Sequence, residues 1–214
     1  MEHTKFAIER DTLVKALTAV MTSASKDETR PHLAAVLVET RPDDGLIRFV
    51  STDGHRLTRL DVPAFPEWNV DAAELVLPAK KVEALIKALR GARQSYPEPI
   101  TVSADGRSVT FRNEVTADVT GFSASDETFP PYEKVIPDYT NKPVRSSGRA
   151  KAVGGGVPIG FNPAYMADVA KVAKFAAGTS GGVKASFGTS VDPIRIDLDN
   201  GEVSAVVVIM PMRM

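Results

Sequence analysis

Hydrophobic and polar positions follow one pattern that runs through the chain three times: a strand, a helix and three further strands. In the second helix, Val82, Ile86 and Leu89 recur at helical spacing, which predicts one buried face. The three helices begin near Asp11, Pro78 and Asn162. Strands are predicted near 5–8, 33–40, 46–52 and 56–62 in the first unit, 74–77, 100–103, 108–112 and 115–122 in the second, and 157–161, 182–187, 193–198 and 203–209 in the third. Repeated units of this kind usually assemble side by side.

Turn dipeptides separate several of the predicted strands. Asp or Asn followed by Gly accepts the positive φ angles of tight hairpin corners. Such pairs occur at Asp44-Gly45, Asp53-Gly54, Asp105-Gly106 and Asn200-Gly201. We therefore expect antiparallel sheets, which together with the helices give an α+β fold.

The last predicted strand and the residues that follow it are unusually apolar. Residues 206–210 are hydrophobic on both pleat faces, which indicates a strand buried on both sides. Pro-Met-Arg-Met follows, although terminal residues are normally polar. An open groove for partner peptides suits this composition, because thioether side chains repack around different shapes. A tail buried in the protein's own core suits it equally well.

Composition sets the size of the core and excludes several classes of protein. With 214 residues, of which 43% are hydrophobic, the chain can bury a sizeable core. The longest apolar run, 205–210, is far too short to span a bilayer, and we expect no membrane contact and a cytoplasmic location. The absence of cysteine excludes disulfides, a thiolate nucleophile and cysteine-based zinc sites.

Charge is distributed unevenly, although the net charge is only −1. Acidic residues gather in turns and outer strands, whereas basic residues accompany the helices: Lys15 and Lys26 with the first, Lys80, Lys81, Lys87, Arg90 and Arg93 with the second, and Lys171 and Lys174 with the third. Lysines that only solvate an amphipathic helix explain this pattern for any single helix. The same bias in three helices favours one shared basic surface, which would hold phosphates without reading bases.

Side chains with catalytic or metal-binding chemistry are sparse. Ser51, Asp53 and His55 are close in sequence, but strand and turn alternation points them apart, and no nucleophile elbow surrounds Ser51. His3 and His32 have no carboxylate or cysteine partners at ligand spacing. We therefore expect no enzyme activity, no metal and no cofactor.

Four segments form a recognisable set: Thr52-Asp53-Gly54-His55-Arg56-Leu57, residues 129–137, residues 159–165 and residues 207–214. In this order they resemble the β sliding clamp family of bacterial DNA polymerase III. By this resemblance, residues 1–138 form a complete two-repeat domain like the middle domain of a clamp. Residues 139–156 form a linker rich in glycine, serine and basic residues, and 157–214 resemble the second half of the last domain.

The resemblance implies a sliding-clamp fold and a partner set. In the family, helices line the hole of a closed ring and antiparallel sheets form its outer wall. Double-stranded DNA passes through the hole without sequence-specific contacts. A hydrophobic pocket tethers DNA polymerase and other proteins through short peptides that contain Gln and a Leu or Phe anchor. A clamp loader and association with the nucleoid are implied in the same way.

The family's peptide pocket carries over onto residues from three parts of the chain. They are Leu33, Thr52, Gly54, His55, Arg56, Leu57, Pro130, Lys134, Val135, Ile194, Val208, Met210, Pro211, Met212, Arg213 and Met214. Lys134 and Met214 depart from the arginine and leucine that are commoner in the family.

Contacts to DNA carry over onto fewer positions. Arg30 lies in a loop that faces DNA in the family, and Lys80 matches a basic position at the start of an inner helix. Pro31 and His32 replace the aromatic residues expected in that loop. Together with the helix charges, the candidate DNA-binding residues are Lys15, Arg30, Lys80, Lys81, Lys87, Arg90, Lys171 and Lys174. Contact between DNA and the basic residues of the linker is a secondary interpretation.

An odd number of units predicts self-association. Half a domain needs a complement, and the same unit of a second chain can supply it. The family ring contains twelve units, so four chains of three units would close it as a homotetramer. A dimer that forms half a ring and a monomer whose third unit packs on the first domain are alternatives. A decoy that binds clamp-interacting peptides without encircling DNA is the alternative function.

Overall fold

The computed structural model describes residues 3–65, 74–90, 98–139, 159–178 and 181–212. The predicted linker, Arg93, Arg213 and Met214 lie outside these residues, apart from position 139 of the linker. The strands are β1 His3–Glu9, β2 Ala35–Arg41, β3 Leu46–Thr52, β4 Arg56–Pro63, β5 Glu74–Pro78, β6 Pro99–Asp105, β7 Ser108–Asn113, β8 Val119–Ser123, β9 Lys184–Ser186, β10 Ile194–Asp199 and β11 Ser204–Ile209. The helices are α1 Arg10–Val20, α2 Ala79–Leu89 and α3 Pro163–Ala176, and short 3-10 helices span Pro42–Asp44 and Tyr132–Val135.

Two antiparallel sheets connect the three units. One sheet has the order β1-β6-β7-β8, and the other has the order β5-β2-β3-β4-β11-β10-β9. The first and second units therefore exchange their opening strands: β1 pairs with β6, and β5 pairs with β2. Every pair of neighbouring strands is antiparallel, which confirms the prediction from the turn dipeptides.

The third unit joins the first unit through backbone pairing. Strand β11 pairs with β4 from Ser204↔Asp61 to Ile209↔Arg56, so one sheet continues across the two units. On the other side of this sheet α3 packs against α1, and α1 also packs against α2. The three helices consequently form one layer in the order α2-α1-α3.

Helix starts follow the local sequence. The carboxylate of Glu9 accepts a hydrogen bond from the amide of Thr12 at 2.6 Å and caps α1. The side chain of Asn162 accepts from the amide of Ala164 at 2.9 Å, and Pro163 occupies the first turn of α3, where its missing amide hydrogen costs nothing. The sequence therefore specifies both boundaries.

The main core lies between the helix layer and the sheets. It contains Leu13, Leu17, Val82 and Leu85 from the first two helices and extends into the third unit through Val169 and other residues. A smaller cluster covers the opposite face of the seven-stranded sheet, where Phe129 and Tyr132 pack on Leu57, Val206 and Val208. Strand β11 is buried on both faces, as its sequence predicts, because alternate residues enter the two clusters.

Four local expectations are wrong. In the described part of the strand predicted at 157–161, residues 159–161, the structure has only an isolated bridge between Gly160 and Met212. Strand β8 begins at Val119 instead of position 115, because the side chain of Asn113 accepts hydrogen bonds from the amides of Val115 and Thr116 and fixes a turn. Lys26 lies beyond the end of α1 at Val20. Helical spacing predicts that α3 buries Met166 together with Val169 and Val172, but Met166 is exposed, because no element of the described chain covers it.

Candidate functional site

A hydrogen-bonded corner connects β3 to β4. Gly54 adopts a φ of 91°, which favours glycine, and the carboxylate of Asp53 accepts from the amides of His55 at 2.9 Å and Arg56 at 3.0 Å. The hydroxyl of Thr52 donates to the carbonyl of Arg56 at 2.7 Å and accepts from the amide of Gly54 at 3.1 Å. This corner presents the exposed residues Gly54 and His55 in a fixed position.

The chain's last described residues lie beside this corner. The amide of Met210 donates to the carbonyl of His55 at 2.9 Å, and the amide of Met212 donates to the carbonyl of Gly160 at 2.8 Å. Met210 and Met212 are 40% and 54% exposed. Met210 and Met212 are therefore not buried in the protein's own core.

A third segment crosses the outer face of the seven-stranded sheet and contains Pro130, Lys134 and Val135. Tyr132 fixes it, because its hydroxyl donates to Glu39 at 2.5 Å and accepts from Arg48 at 3.4 Å. Burial and the hydrogen bond to Glu39 raise the pKa of Tyr132 to about 12, so the hydroxyl stays a donor at neutral pH. Val135 and Lys134 remain exposed on this segment.

The structure divides the predicted pocket residues by exposure. Gly54, His55, Lys134, Val135, Met210 and Met212 are exposed, and Arg56, Pro130 and Pro211 are half-buried. Leu33, Thr52, Leu57, Ile194 and Val208 are buried. Leu57 and Val208 face each other across β4 and β11 in the outer cluster, whereas Ile194 lies in the main core on the helix side of the sheet. The described residues therefore do not bring Ile194 together with Leu57 and Val208.

Arg56 is held by partners from two units. Its guanidinium contacts Asp53 at 3.1 Å, forms an ion pair with Asp168 of α3 and lies 4.4 Å over the ring of Tyr165. Partial burial of Asp168 opposes ionisation, but hydrogen bonds from Lys171 and Arg56 outweigh it and lower the pKa of the Asp168 carboxyl. Arg56 therefore fastens the third unit to the corner. Tyr165 and Asp168 are not among the site residues predicted from the sequence, where their spacing of three on a helix is the signal that places them on one face.

The candidate DNA-binding residues lie on or beside the helix layer. Lys15, Lys80, Lys81, Lys87, Arg90, Lys171 and Lys174 are exposed on α1, α2 and α3, and Arg30 is exposed in the loop after α1. Arg90 donates to the hydroxyl of Thr18 at 3.3 Å across α2 and α1, which places the second helix's charge beside the first helix. Lys80 and Arg30 form ion pairs with Glu28 and Asp27 at 2.8 and 2.9 Å. The candidate DNA-binding residues thus share one layer, whereas Arg107, Lys134 and Lys184 are exposed on other surfaces.

Many acidic residues lie away from the helices, as expected from the sequence. Those exposed in strands, turns and loops include Asp43, Asp44, Glu74, Asp126, Glu127, Asp199 and Glu202. The helix layer also carries acidic side chains: Glu83 is exposed on α2, and Glu28 and Asp27 pair with Lys80 and Arg30. Within the described residues, the helix layer is therefore rich in basic residues but is not free of negative charge.

Other chemistry is sparse in the described residues. Across 3–65, 74–90, 98–139, 159–178 and 181–212, His, Asp and Glu side chains form no group of three that could hold a metal ion. In the same part of the chain, every helix is too short or too polar to cross a bilayer. Ser51 is fully buried, and its hydroxyl donates to the carbonyl of Val20.

Comparison with known families decides the relationship. The family profile described as "DNA polymerase III beta subunit, central domain" matches residues 7–118, which is more than half of the chain. The chain belongs to the DNA polymerase III beta subunit family. The match ends before the outer segment at Pro130 and before the third unit.

Individual members of the beta subunit family resemble the chain over part of their length. The beta sliding clamp of Caulobacter vibrioides is 30% identical over 135 residues, which cover 62% of this chain and 34% of that protein. The Escherichia coli K12 beta sliding clamp is 25% identical over 138 residues, which cover 64% of this chain and 35% of that protein. The chain thus spans about a third of the length of these relatives.

Solved structures extend the likeness to the third unit. The beta subunit from Thermotoga maritima has a TM-score of 0.74 and 24% identity, covering 99% of this chain and 66% of its own. A sliding clamp from Pseudomonas aeruginosa has a TM-score of 0.76 and 20% identity, covering 99% and 67%. These likenesses confirm the sliding-clamp fold expected from the sequence.

Proposed function

We propose that this chain is a DNA sliding clamp-like processivity factor without enzymatic activity. In this function it encircles duplex DNA and tethers a polymerase or other proteins through a peptide-binding cleft, which we assign to the exposed surface of His55, Met210 and Met212 beside the corner. The observation that carries the proposal is the separation of two surfaces on one clamp fold. The basic helix layer lies on one side of the seven-stranded sheet, and the outer cluster with Phe129 and Tyr132 lies on the other.

Sequence-independent contact with DNA suits the helix layer. The candidate residues are lysines and arginines on exposed helix surfaces, which attract phosphates but carry no sequence information when they contact the backbone alone. Salt bridges to Glu28 and Asp27 occupy Lys80 and Arg30, which weakens their pull on DNA. A surface of this kind holds a duplex loosely enough to slide along it.

Peptide binding suits the cleft. Met210 and Met212 offer exposed apolar surface, and the backbone bond from Met210 holds His55 beside Met210. Val135 adds exposed apolar surface on the outer segment. Methionine adapts to different anchors, so one cleft can take peptides from several partners. We propose that peptides with a Gln and a Leu or Phe anchor bind here, in contact with the exposed residues, while Leu57 and Val208 support them from below.

Ring closure around DNA requires several chains. The proposed assembly is a homotetramer, because four chains of three units supply twelve units. A clamp loader would open this ring on DNA, and association with the nucleoid would follow from DNA binding.

Retention on DNA of different topology tests this function. Protein is loaded onto a nicked plasmid, passed through a gel-filtration column in high salt, and compared with protein on the same plasmid after cleavage at one site. We expect retention on the circle and loss from the linear form, because only a ring is held by topology. Val115→Ala, on an exposed turn of the second unit, is a surface variant that should be retained on the circle and lost from the linear form as the wild type is.

Each outcome separates the candidate functions. Equal retention on both forms contradicts encirclement and indicates ordinary electrostatic binding. No retention on either form, together with intact peptide binding, leaves the peptide-binding decoy.

A further inference from the structure

The opening segment before the helix, which is strand β1 in the first unit, strand β5 in the second and an isolated bridge at Gly160 in the third, makes the same backbone contact in all three units. In the first unit the amide of Phe65 donates to the carbonyl of Ala7, and in the second the amide of Ser125 donates to that of Val76, both at 2.8 Å. The third unit repeats this contact, from Met212 to Gly160, at 2.8 Å. Its opening strand is therefore already held in the orientation of β1 and β5.

The other edge of the opening strand distinguishes the third unit. Strand β1 pairs through Ile8↔Ile100 with the second unit, and β5 pairs through Leu77↔Val36 with the first. Within the described residues, Gly160 pairs with Met212 alone, and β9 ends the seven-stranded sheet. The third unit thus has a strand to donate and an edge to receive one.

The turn after β10 fixes which residues correspond. Gly201 has a φ of 92° beside the 91° of Gly54, and Asn200 and Asp53 begin turns with the same amide-to-carbonyl bond, at 3.2 and 3.3 Å. Asn200 and Asp53 are 147 positions apart, and the same offset relates the pairs Lys184↔Asp197 and Leu37↔Val50. Val183, next to Lys184, therefore corresponds to Val36.

Three apolar side chains of the third unit are exposed where the other units bury theirs. Phe161 is 39% exposed, Met166 37% and Val183 52%. Phe161 lies two residues before the start of α3, as Ile8 and Leu77 do before α1 and α2. Met166 lies three residues after the start of α3, as Leu13 and Val82 do in α1 and α2. The equivalents are at most 1% exposed: Ile8 and Leu77 for Phe161, Leu13 and Val82 for Met166, and Val36 and Ile100 for Val183.

We propose that the β9 edge and the opening strand around 159–161 form a docking site for the third unit of a second copy of this chain. Each copy donates its opening strand to the β9 edge of the other, with Phe161 opposite Val183 of the second copy, as Leu77 lies opposite Val36. Because donor and acceptor are on the same unit, the contact is self-complementary and closes with two-fold symmetry. It covers the three exposed side chains in one step.

This contact would supply one of the chain-to-chain interfaces of the proposed ring. Its role on DNA rests on the proposed function, but the contact itself does not. The absence of cysteine makes engineered thiols unique in the chain. Directly opposite residues in antiparallel strands have Cα atoms about 4.5 to 5.5 Å apart, which is within disulfide range. A disulfide between two engineered cysteines therefore shows which residues lie opposite each other in the two copies.

The experiment mixes two full-length chains of different tag size, one with Phe161→Cys and the other with Val183→Cys. After mild oxidation without DNA, we expect a disulfide-linked heterodimer on a non-reducing gel. The matched control replaces Val183→Cys by Lys184→Cys, which shifts the thiol by one residue to the other sheet face. We expect at least tenfold less heterodimer in the control.

A second measurement covers the case in which Phe161→Cys disturbs folding. Val183→Lys should weaken self-association at least tenfold in sedimentation equilibrium, whereas Val115→Lys, an exposed valine of the second unit, should not change it. Circular dichroism confirms that both variants are folded.

Equal cross-linking at positions 183 and 184, or unchanged association of Val183→Lys, overturns the proposal. Cross-linking that appears only after a full-length sliding clamp is added identifies another occupant and overturns it as well. Topological retention on DNA without the cross-link removes this interface and leaves the proposed function. The cross-link without retention leaves the interface and removes that function.

Discussion

At the residue scale, Arg56 and Asp168 show how one ion pair joins two units that are distant in sequence. Both side chains are largely buried, and the Tyr165 ring covers the guanidinium. Lys171 adds a second hydrogen bond to the carboxylate at 2.6 Å. The corner and α3 therefore depend on each other, and a change at position 168 should be felt at the cleft.

We expect Asp168→Asn to lower the free energy of unfolding by about 1 kcal/mol or more at pH 7, because it removes a charged partner of Arg56. The folded pKa of Asp168 lies below the unfolded value of about 3.9. Its stabilisation is therefore present above that pH and is lost as pH falls through the folded pKa. The difference in free energy of unfolding between wild type and variant should therefore be smaller at pH 3 than at pH 7, as measured by urea unfolding at both pH values.

Glu28→Gln is the matched control for this prediction, because its ion pair with Lys80 is exposed on both sides. It should change the free energy of unfolding by less than about 0.5 kcal/mol. A wild-type–variant difference at position 168 that stays constant across the pH range would contradict the assigned role of the carboxylate.

The exposed methionines provide the cleanest test of the cleft. Leu57→Ala is unsuitable because Leu57 is 2% exposed in the outer cluster, and its truncation would cost about 2 to 5 kcal/mol of stability. We expect the double change Met210→Ala and Met212→Ala to weaken peptide binding about tenfold, or about 1.4 kcal/mol, with little loss of stability. Fluorescence anisotropy with a labelled Gln- and Leu-containing peptide measures this.

Val115→Ala truncates an exposed apolar side chain of the second unit, away from the tail, and should leave the affinity unchanged. Unchanged affinity in the methionine variant would show that Met210 and Met212 do not contribute to peptide binding. Equal weakening in both variants would indicate a general loss of structure.

At the element scale, the helix layer is the feature that the sequence predicts best, and it is the surface proposed to contact DNA. We expect Lys81→Ala combined with Lys87→Ala to weaken duplex binding and to reduce the slope of log K against log salt. Each lost phosphate contact should lower the slope by about 0.9. Titrations of labelled duplex at several salt concentrations measure both quantities.

Arg107→Ala is the control, because Arg107 is exposed in the hairpin between β6 and β7 and forms an ion pair with Asp126. Its salt slope should equal that of the wild type. If Arg107→Ala reduced the slope of log K against log salt as much as the two helix lysine substitutions do, DNA would not bind preferentially to the helix layer.

Local pattern was sufficient for most elements and insufficient for others, for physical reasons. Helical spacing and the Asn162-Pro163 cap predicted α3, and the Asn-Gly and Asp-Gly pairs predicted the hairpins. The start of β8 was missed because the Asn113 side chain competes for the amides of the next residues. The exposure of Met166 was missed because spacing predicts an apolar face but not whether a neighbour covers it.

The candidate site was predictable only in part. Family-like segments located the corner, the outer segment and the tail, and the structure brings the corner and tail together through the bond between Met210 and His55. Segment matches do not say which pleat face a residue occupies, so Ile194 was assigned beside Val208 although it lies in the main core. The contact of Arg56 with Asp168 joins residues too far apart for local pattern to reveal.

At the scale of the whole molecule, three units leave one unit without an exchange partner. The third unit packs on the first through β4 and β11, but its β9 edge and opening strand stay open within the described residues. Folding alone therefore does not bury Phe161, Met166 and Val183. In our proposal, self-association links this incomplete unit to a closed ring.

Native mass spectrometry tests ring formation most directly. We expect a principal species of four chains at micromolar concentration, with a mass of about 92 kDa for a chain of 22.9 kDa. Val183→Lys should shift that species to smaller assemblies, because it places a charge in the proposed contact. A wild-type protein that remains a 22.9 kDa monomer at these concentrations would contradict the account.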